Sequence, residues 1–135
     1  MAQSNDGFFS FMSYRAITYR NSPQWQMQQY ATTDDAGLRR YNGLKMLAIG
    51  TGWGYTVGDV INVTLSSGIV ITGIIGDIKA DRHTCERNKR TAHNGCYLEF
   101  IVCIPNICPM ARRMGDMSWM GFVGHVMSVD RITDE

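Results

Sequence analysis

A chain of 135 residues can bury a core of its own without disulfides or a structural metal, so a single globular domain is the expectation. A hydrophobic share of 44%, a charged share of 19% and a formal net charge of +1 exclude a whole-chain attraction to nucleic acid or to a membrane surface. No apolar run reaches the length of a membrane span, and Met1 to Phe11 has neither the basic start nor the apolar middle of a secretory signal. The expected location is therefore the cytoplasm of the producing cell, or a particle released from it.

In chain order, residues 1–44 read as an irregular, partly extended N-terminal arm. Asn21-Ser22-Pro23, Thr33-Asp34-Asp35-Ala36-Gly37 and Asn42-Gly43 are turn signals separated by short apolar runs, and Tyr14 to Tyr19 alternates enough for a strand. Phe8, Phe9 and Phe11 suit an arm that wraps its own domain or reaches a neighbour. From residue 45 to 135 the pattern turns to β. Met46 to Ile49 is a short apolar run closed by Gly50-Thr51-Gly52; Val60 to Leu65 and Ile69 to Ile75 predict a hairpin turning at Ser66-Ser67-Gly68. Cys96 to Ile104 predicts a third strand stopped by Pro105, Met110 to Met117 a helical turn or two, and Phe122 to Val129 a fourth strand. Asp81 to Gly95 has loop composition. Short strands divided by glycine turns argue a mainly β domain closed into a small barrel, because closure removes exposed strand edges.

Four stretches carry a family resemblance: Leu47-Ala48-Ile49-Gly50 before an aromatic and glycine run, Val57-Gly58-Asp59 before a hairpin, Gly76-Asp77-Ile78-Lys79-Ala80-Asp81-Arg82-His83-Thr84, and Asn94-Gly95-Cys96-Tyr97-Leu98-Glu99-Phe100-Ile101-Val102. Together they resemble the double-psi β-barrels of cell-wall proteins. These include the three-aspartate domain of bacterial and phage wall enzymes and the barrel of lytic transglycosylases, and the closest likeness is to small proteins of Gram-positive bacteria and their phages. The resemblance implies a six-stranded double-psi β-barrel over residues 45–135. It also implies a peptidoglycan or other wall-glycan ligand and a phage-type role, possible within a tail. Such relatives carry acidic residues where this chain has Cys85 and Cys103.

The resemblance places the chemistry on Asp77 and Glu99, with Asp81 as a third acidic position, and implies that the pair meets across an open groove. Cleaving a glycosidic bond needs a proton delivered to the leaving oxygen, which a carboxyl group of raised pKa supplies. In a lytic transglycosylase reaction the sugar's own hydroxyl replaces water as the attacker, so one acid suffices. Glu99 is the expected general acid, with Asp77 orienting or tuning it. By residue type alone, Asp77 and Asp81 serve equally well as turn caps and Glu99 as the polar face of a strand.

Trp53 and Tyr55, in the glycine-rich Gly50 to Tyr55 segment, are candidates for stacking on sugar rings or for plugging a barrel end. Lys79 and His83 complete the expected substrate-binding set. Residues 82–93 hold four Lys or Arg against one Glu, but no interleaved aromatics, which disfavours nucleic acid as the partner. His83, Cys85, His93 and Cys96 flank that loop without the spacing of a zinc site, so neither metal nor other cofactor is expected. Met110, Met114, Met117 and Met120 offer either core filling or a soft contact surface. With the arm, they suit a second expectation: a non-catalytic structural subunit of a virion, tail or baseplate, in contact with other subunits or with copies of itself.

Overall fold

The computed structural model describes residues 10–85, 89–91 and 96–132. In chain order these form β1 (Ser10–Ser13), α1 (Pro23–Gln28), β2 (Thr32–Thr33), β3 (Arg39–Tyr41), β4 (Leu44–Gly50), β5 (Val60–Leu65) and β6 (Val70–Lys79). There follow β7 (Thr84–Cys85), β8 (Arg90–Thr91), β9 (Leu98–Val102), α2 (Pro109–Met114) and β10 (Val126–Ile132). The mainly β expectation holds.

One mixed sheet runs in the order β1-β9-β4-β6-β5-β10, with β2 and β3 attached beside the start of β4, while β7 and β8 make a separate two-residue ladder. The central β4 is parallel to β6 on one side and antiparallel to β9 on the other. The expected barrel closure is not what forms: among the described residues the path ends at β1 and β10, and the sheet does not close. The physical reason lies in the arm. Its β1 pairs in parallel along β9, from Ser10 opposite Glu99 to Ser13 opposite Val102, and so takes the strand edge that closure would have used.

The segment read as an irregular arm thus supplies three strands and a helix. Its predicted strand at Tyr14 to Tyr19 is instead a tight turn over Tyr14–Ala16, because the Ser13 hydroxyl accepts from the Arg15 N–H at 3.1 Å and caps it. The Asn21-Ser22-Pro23 turn signal starts α1: Ser22 accepts from the Trp25 N–H at 3.1 Å and Pro23 fills the first turn, where its missing N–H costs nothing. Phe8 and Phe9 lie outside the described residues; Phe11 packs on the larger core.

The centre of the sheet, β4 and β9, is buried on both faces. One face holds the larger core, with Leu47, Ile49, Ile61, Val63, Leu65, Ile75, Leu98 and Phe100 at its centre. The other holds Met46, Ala48, Ile74 and Ile101, covered by Met12, Tyr14, Ile17 and Met27 of the arm. The period-2 alternation of β4 and β9 sorts their residues between these cores, so both strands are apolar on both sides.

The last predicted strand begins late, at Val126 rather than Phe122. Gly121 and Gly124 adopt φ of +97° and +109°, and a Cβ on Gly124 would stand 2.8 Å from the Ser66 hydroxyl, so this stretch turns tightly against the β5–β6 hairpin before pairing starts. Of the four clustered methionines, Met117 is fully buried, Met120 packs on the larger core and Met114 is exposed.

Candidate acidic site beneath the N-terminal arm

A bulge in β6 positions the acidic residues. Leu47 pairs with Ile75 but Ala48 pairs with Asp77, so Gly76 is an extra residue in the ladder. Before it, Ile71 and Ile75 face the larger core; after it, Ile78 does, and Asp77 and Lys79 turn to the arm-covered face. Were Gly76 paired in strict alternation instead of bulged out, Asp77 would face the larger apolar core.

Ala48 is paired with Asp77 on one side and with Glu99 on the other. The two carboxylates therefore flank one alanine at the same level of the sheet, on strands whose backbones lie about 10 Å apart by twice the interstrand spacing. Glu99 is buried, its side chain only 3% exposed, and its Oε1 lies 2.5 Å from the Lys79 ammonium, which also reaches the Met12 sulfur at 3.7 Å. Asp77 is half-buried and its Oδ1 accepts from the Gln24 amide at 3.2 Å.

Burial raises the pKa of Asp77 above the ordinary aspartate value, and the negative charge of Glu99 adds to the rise. The Gln24 hydrogen bond, the Lys79 charge and the Ile78 N–H oppose it without cancelling it. Asp77 also opens on a surface cavity of about 220 Å³, lined with Ile17, Thr18, Tyr19, Ser22 and Gln24 from the arm. Of the expected acids, then, Asp77 faces a cavity while Glu99 is covered and ion-paired.

The other expected site residues lie elsewhere. Asp81 is exposed, and its Oδ1 accepts from the Thr51 hydroxyl at 2.6 Å, tying the end of β6 to the glycine-rich loop. His83 is exposed on the turn after β6. Trp53 sits edge-on to Tyr97 with ring centroids 5.5 Å apart, donates its indole N–H to the Lys89 carbonyl at 3.2 Å and carries the Lys89 ammonium 4.7 Å from its ring centre. Tyr55 donates its hydroxyl to the Val129 carbonyl at 3.2 Å. Both aromatics pack against the larger core, on the face opposite Glu99.

The structure thus gathers Asp77, Lys79 and Glu99, and leaves Asp81, His83, Trp53 and Tyr55 apart from them. Residues that sequence reasoning missed are Gln24, Ser22, Thr18 and Tyr19. Gln24 is 53 positions from the carboxylate it contacts, and nothing in its local pattern signals that contact. Among the described residues no cluster of three or more His, Cys, Asp and Glu is arranged to hold a metal ion; His93 lies outside them. Cys96 is buried, which pushes its thiol pKa up and favours the uncharged form. Comparison with protein-family models, curated proteins and solved structures found no match.

Proposed function

We propose that this chain is a wall-glycan-directed β domain of phage type, holding a sugar residue of a peptidoglycan strand in the cavity above Asp77. The observation that carries the reading is the chemistry of that cavity: a carboxylate and an amide bonded to each other at 3.2 Å, ringed by the hydroxyl-bearing side chains of Thr18, Tyr19 and Ser22. A half-buried acceptor beside a fixed donor is what orients a sugar's hydroxyls. The assignment to the double-psi barrel family belongs to the same reading and rests on the Gly76 to Thr84 segment.

Within this reading the proton donor is Asp77 and not Glu99. Asp77 has a raised pKa and an opening to ligand, whereas Glu99 is held by Lys79. In glycan cleavage the Asp77 proton would pass to the leaving glycosidic oxygen while the sugar's own hydroxyl attacks the anomeric carbon, returning a proton to the carboxylate.

The test is co-sedimentation with purified peptidoglycan, followed by assay for released glycan. Wild type binds, and Asp77→Asn binds about tenfold more weakly, the equivalent of about 1.4 kcal/mol from one hydrogen bond to a charged group. Wild type that sediments with no wall preparation sinks the reading. If glycan is released, Asp77→Asn abolishes release.

A second reading, a non-catalytic structural subunit of a virion, is favoured by one observation: Val70, Val123 and Met127 are each more than half exposed. Presence of the chain in purified particles, with wild type that binds no glycan, would select it.

A further inference from the structure

The arm builds a second cavity, of about 230 Å³, lined by Tyr14, Arg15, Ile17, Trp25, Gln28 and Gln29. Asp77 does not line it, so a ligand held there is independent of the wall-glycan reading. Arg15 is part of the lining, and Arg20 and Arg39 each lie against one of its rings. The Arg15 guanidinium lies 5.4 Å from the centre of the Tyr14 ring, Arg20 lies 5.6 Å from that of Trp25, and Arg39 lies 4.2 Å from that of Tyr14.

Arg39 is 9% exposed, and neutral groups alone account for its hydrogen bonds among the described residues. Its Nε donates to Gln28 Oε1 at 2.9 Å, one terminal nitrogen to Thr33 Oγ1 at 3.0 Å and the other to the Gln28 carbonyl at 3.2 Å. The described ion pairs are Arg40 with Asp34, Lys79 with Glu99 and Arg131 with Asp59, so none of the three arginines has a carboxylate partner among the described residues. Arginine does not shed its proton in a protein, and a buried charge without a counter-charge is costly. The Gln28 side chain is also fixed on its other end, its amide reaching the Met46 sulfur at 3.4 Å, so this wall of the cavity is rigid.

We infer that this cavity binds a small single-ring compound carrying one anionic oxygen group, a carboxylate or a phosphate. Arg15 on the cavity wall supplies donors to the anion, Arg39 and Arg20 add positive charge from the Tyr14 and Trp25 rings they lie over, those rings supply apolar contact, and the Gln29 amide oxygen can accept from a ligand hydroxyl. The volume is below that of sites for drug-sized ligands, which suits one ring.

The test is a two-dimensional NMR titration at constant ionic strength, following the Trp25 indole N–H, identified by its loss in Trp25→Phe. Glucuronate, glucose 6-phosphate and neutral glucose are the probes. Saturable shifts with one or both charged sugars and none with glucose support the site, and the stronger of the two identifies the anion. Arg15→Gln, at an exposed position that leaves the fold intact, weakens the apparent affinity about tenfold. No shift with either charged sugar, an equal shift with glucose, or a response that Arg15→Gln leaves unchanged overturns the proposal. So does binding that appears only after Asp6, Glu86, Asp134 and Glu135 are neutralised together, because the chain's own acids would then be the occupant.

Discussion

Lys79 and Glu99 form a largely buried ion pair at 2.5 Å, and removing one partner from such a pair costs more than replacing both. Lys79→Met should lose about 3–5 kcal/mol in urea unfolding by leaving the Glu99 charge without its lysine, while Lys79→Met with Glu99→Leu should recover most of that loss. A double-variant loss equal to the sum of the losses of Lys79→Met and Glu99→Leu alone would show that the pair does not couple. Asp77 makes a separate, pH-dependent prediction. Its folded pKa is raised, so its contribution to stability is fully present below the unfolded value and is lost as pH rises through the folded value. Thermal melts across that window should show Asp77→Asn gaining on wild type as pH increases. A constant difference would contradict the raised pKa. Glu99 was legible as an acid flanked by apolar residues, but that pattern equally describes the exposed face of a strand; its burial comes from β1 and the arm lying over it.

At the scale of elements, the bulge at Gly76 decides which way β6 points its charges. A Cβ there would stand 2.8 Å from Met46 Cε and 2.9 Å from Ile101 Cδ1, both ends of side chains that can shift, so Gly76→Ala should cost about 1–3 kcal/mol by overpacking. Deleting Gly76 is a different perturbation, since it removes the bulge and leaves Ile75, Asp77 and Ile78 alternating regularly opposite Leu47, Ala48 and Ile49, each on its present face. The deletion should fold and lose no more stability than Gly76→Ala in urea unfolding; failure to fold would argue that the bulge itself, and not only the facing of Asp77, holds the sheet together. The hairpin of β5 and β6 was readable because Val60 to Leu65 alternates and Ser66-Ser67-Gly68 turns, with Gly68 at φ +94°. The continuation of β6 through Gly76 to Lys79 was not, because a glycine after an apolar run reads as an end.

At the scale of the whole molecule, the arm is part of the sheet and of the second core. It brings β1 to the edge of β9, caps the face of Met46 and Ile101, and supplies most of the lining of both surface cavities. The centre of the sheet is therefore sandwiched between a larger core and an arm-covered smaller one. That is why β4 and β9, apart from Lys45 and Glu99, carry apolar residues on both faces, and why Trp53 and Tyr55 come to lie on the opposite face from the acidic residues.

From the sequence by itself came the β character, the β5–β6 hairpin, the apolar strands at Met46 and Leu98, and the acidic landmarks Asp77 and Glu99. These are local signals: side-chain alternation, β-branched runs and turn residues act over a few positions and leave a trace there. Only the tertiary structure decided that the sheet stays open, that Glu99 is sealed under Lys79, and that the arm's Gln24 meets Asp77 across 53 positions. Strand pairing and burial are settled by contacts between distant segments, and β1 won the edge of β9 through a backbone ladder that any residue with a free N–H and C=O can make.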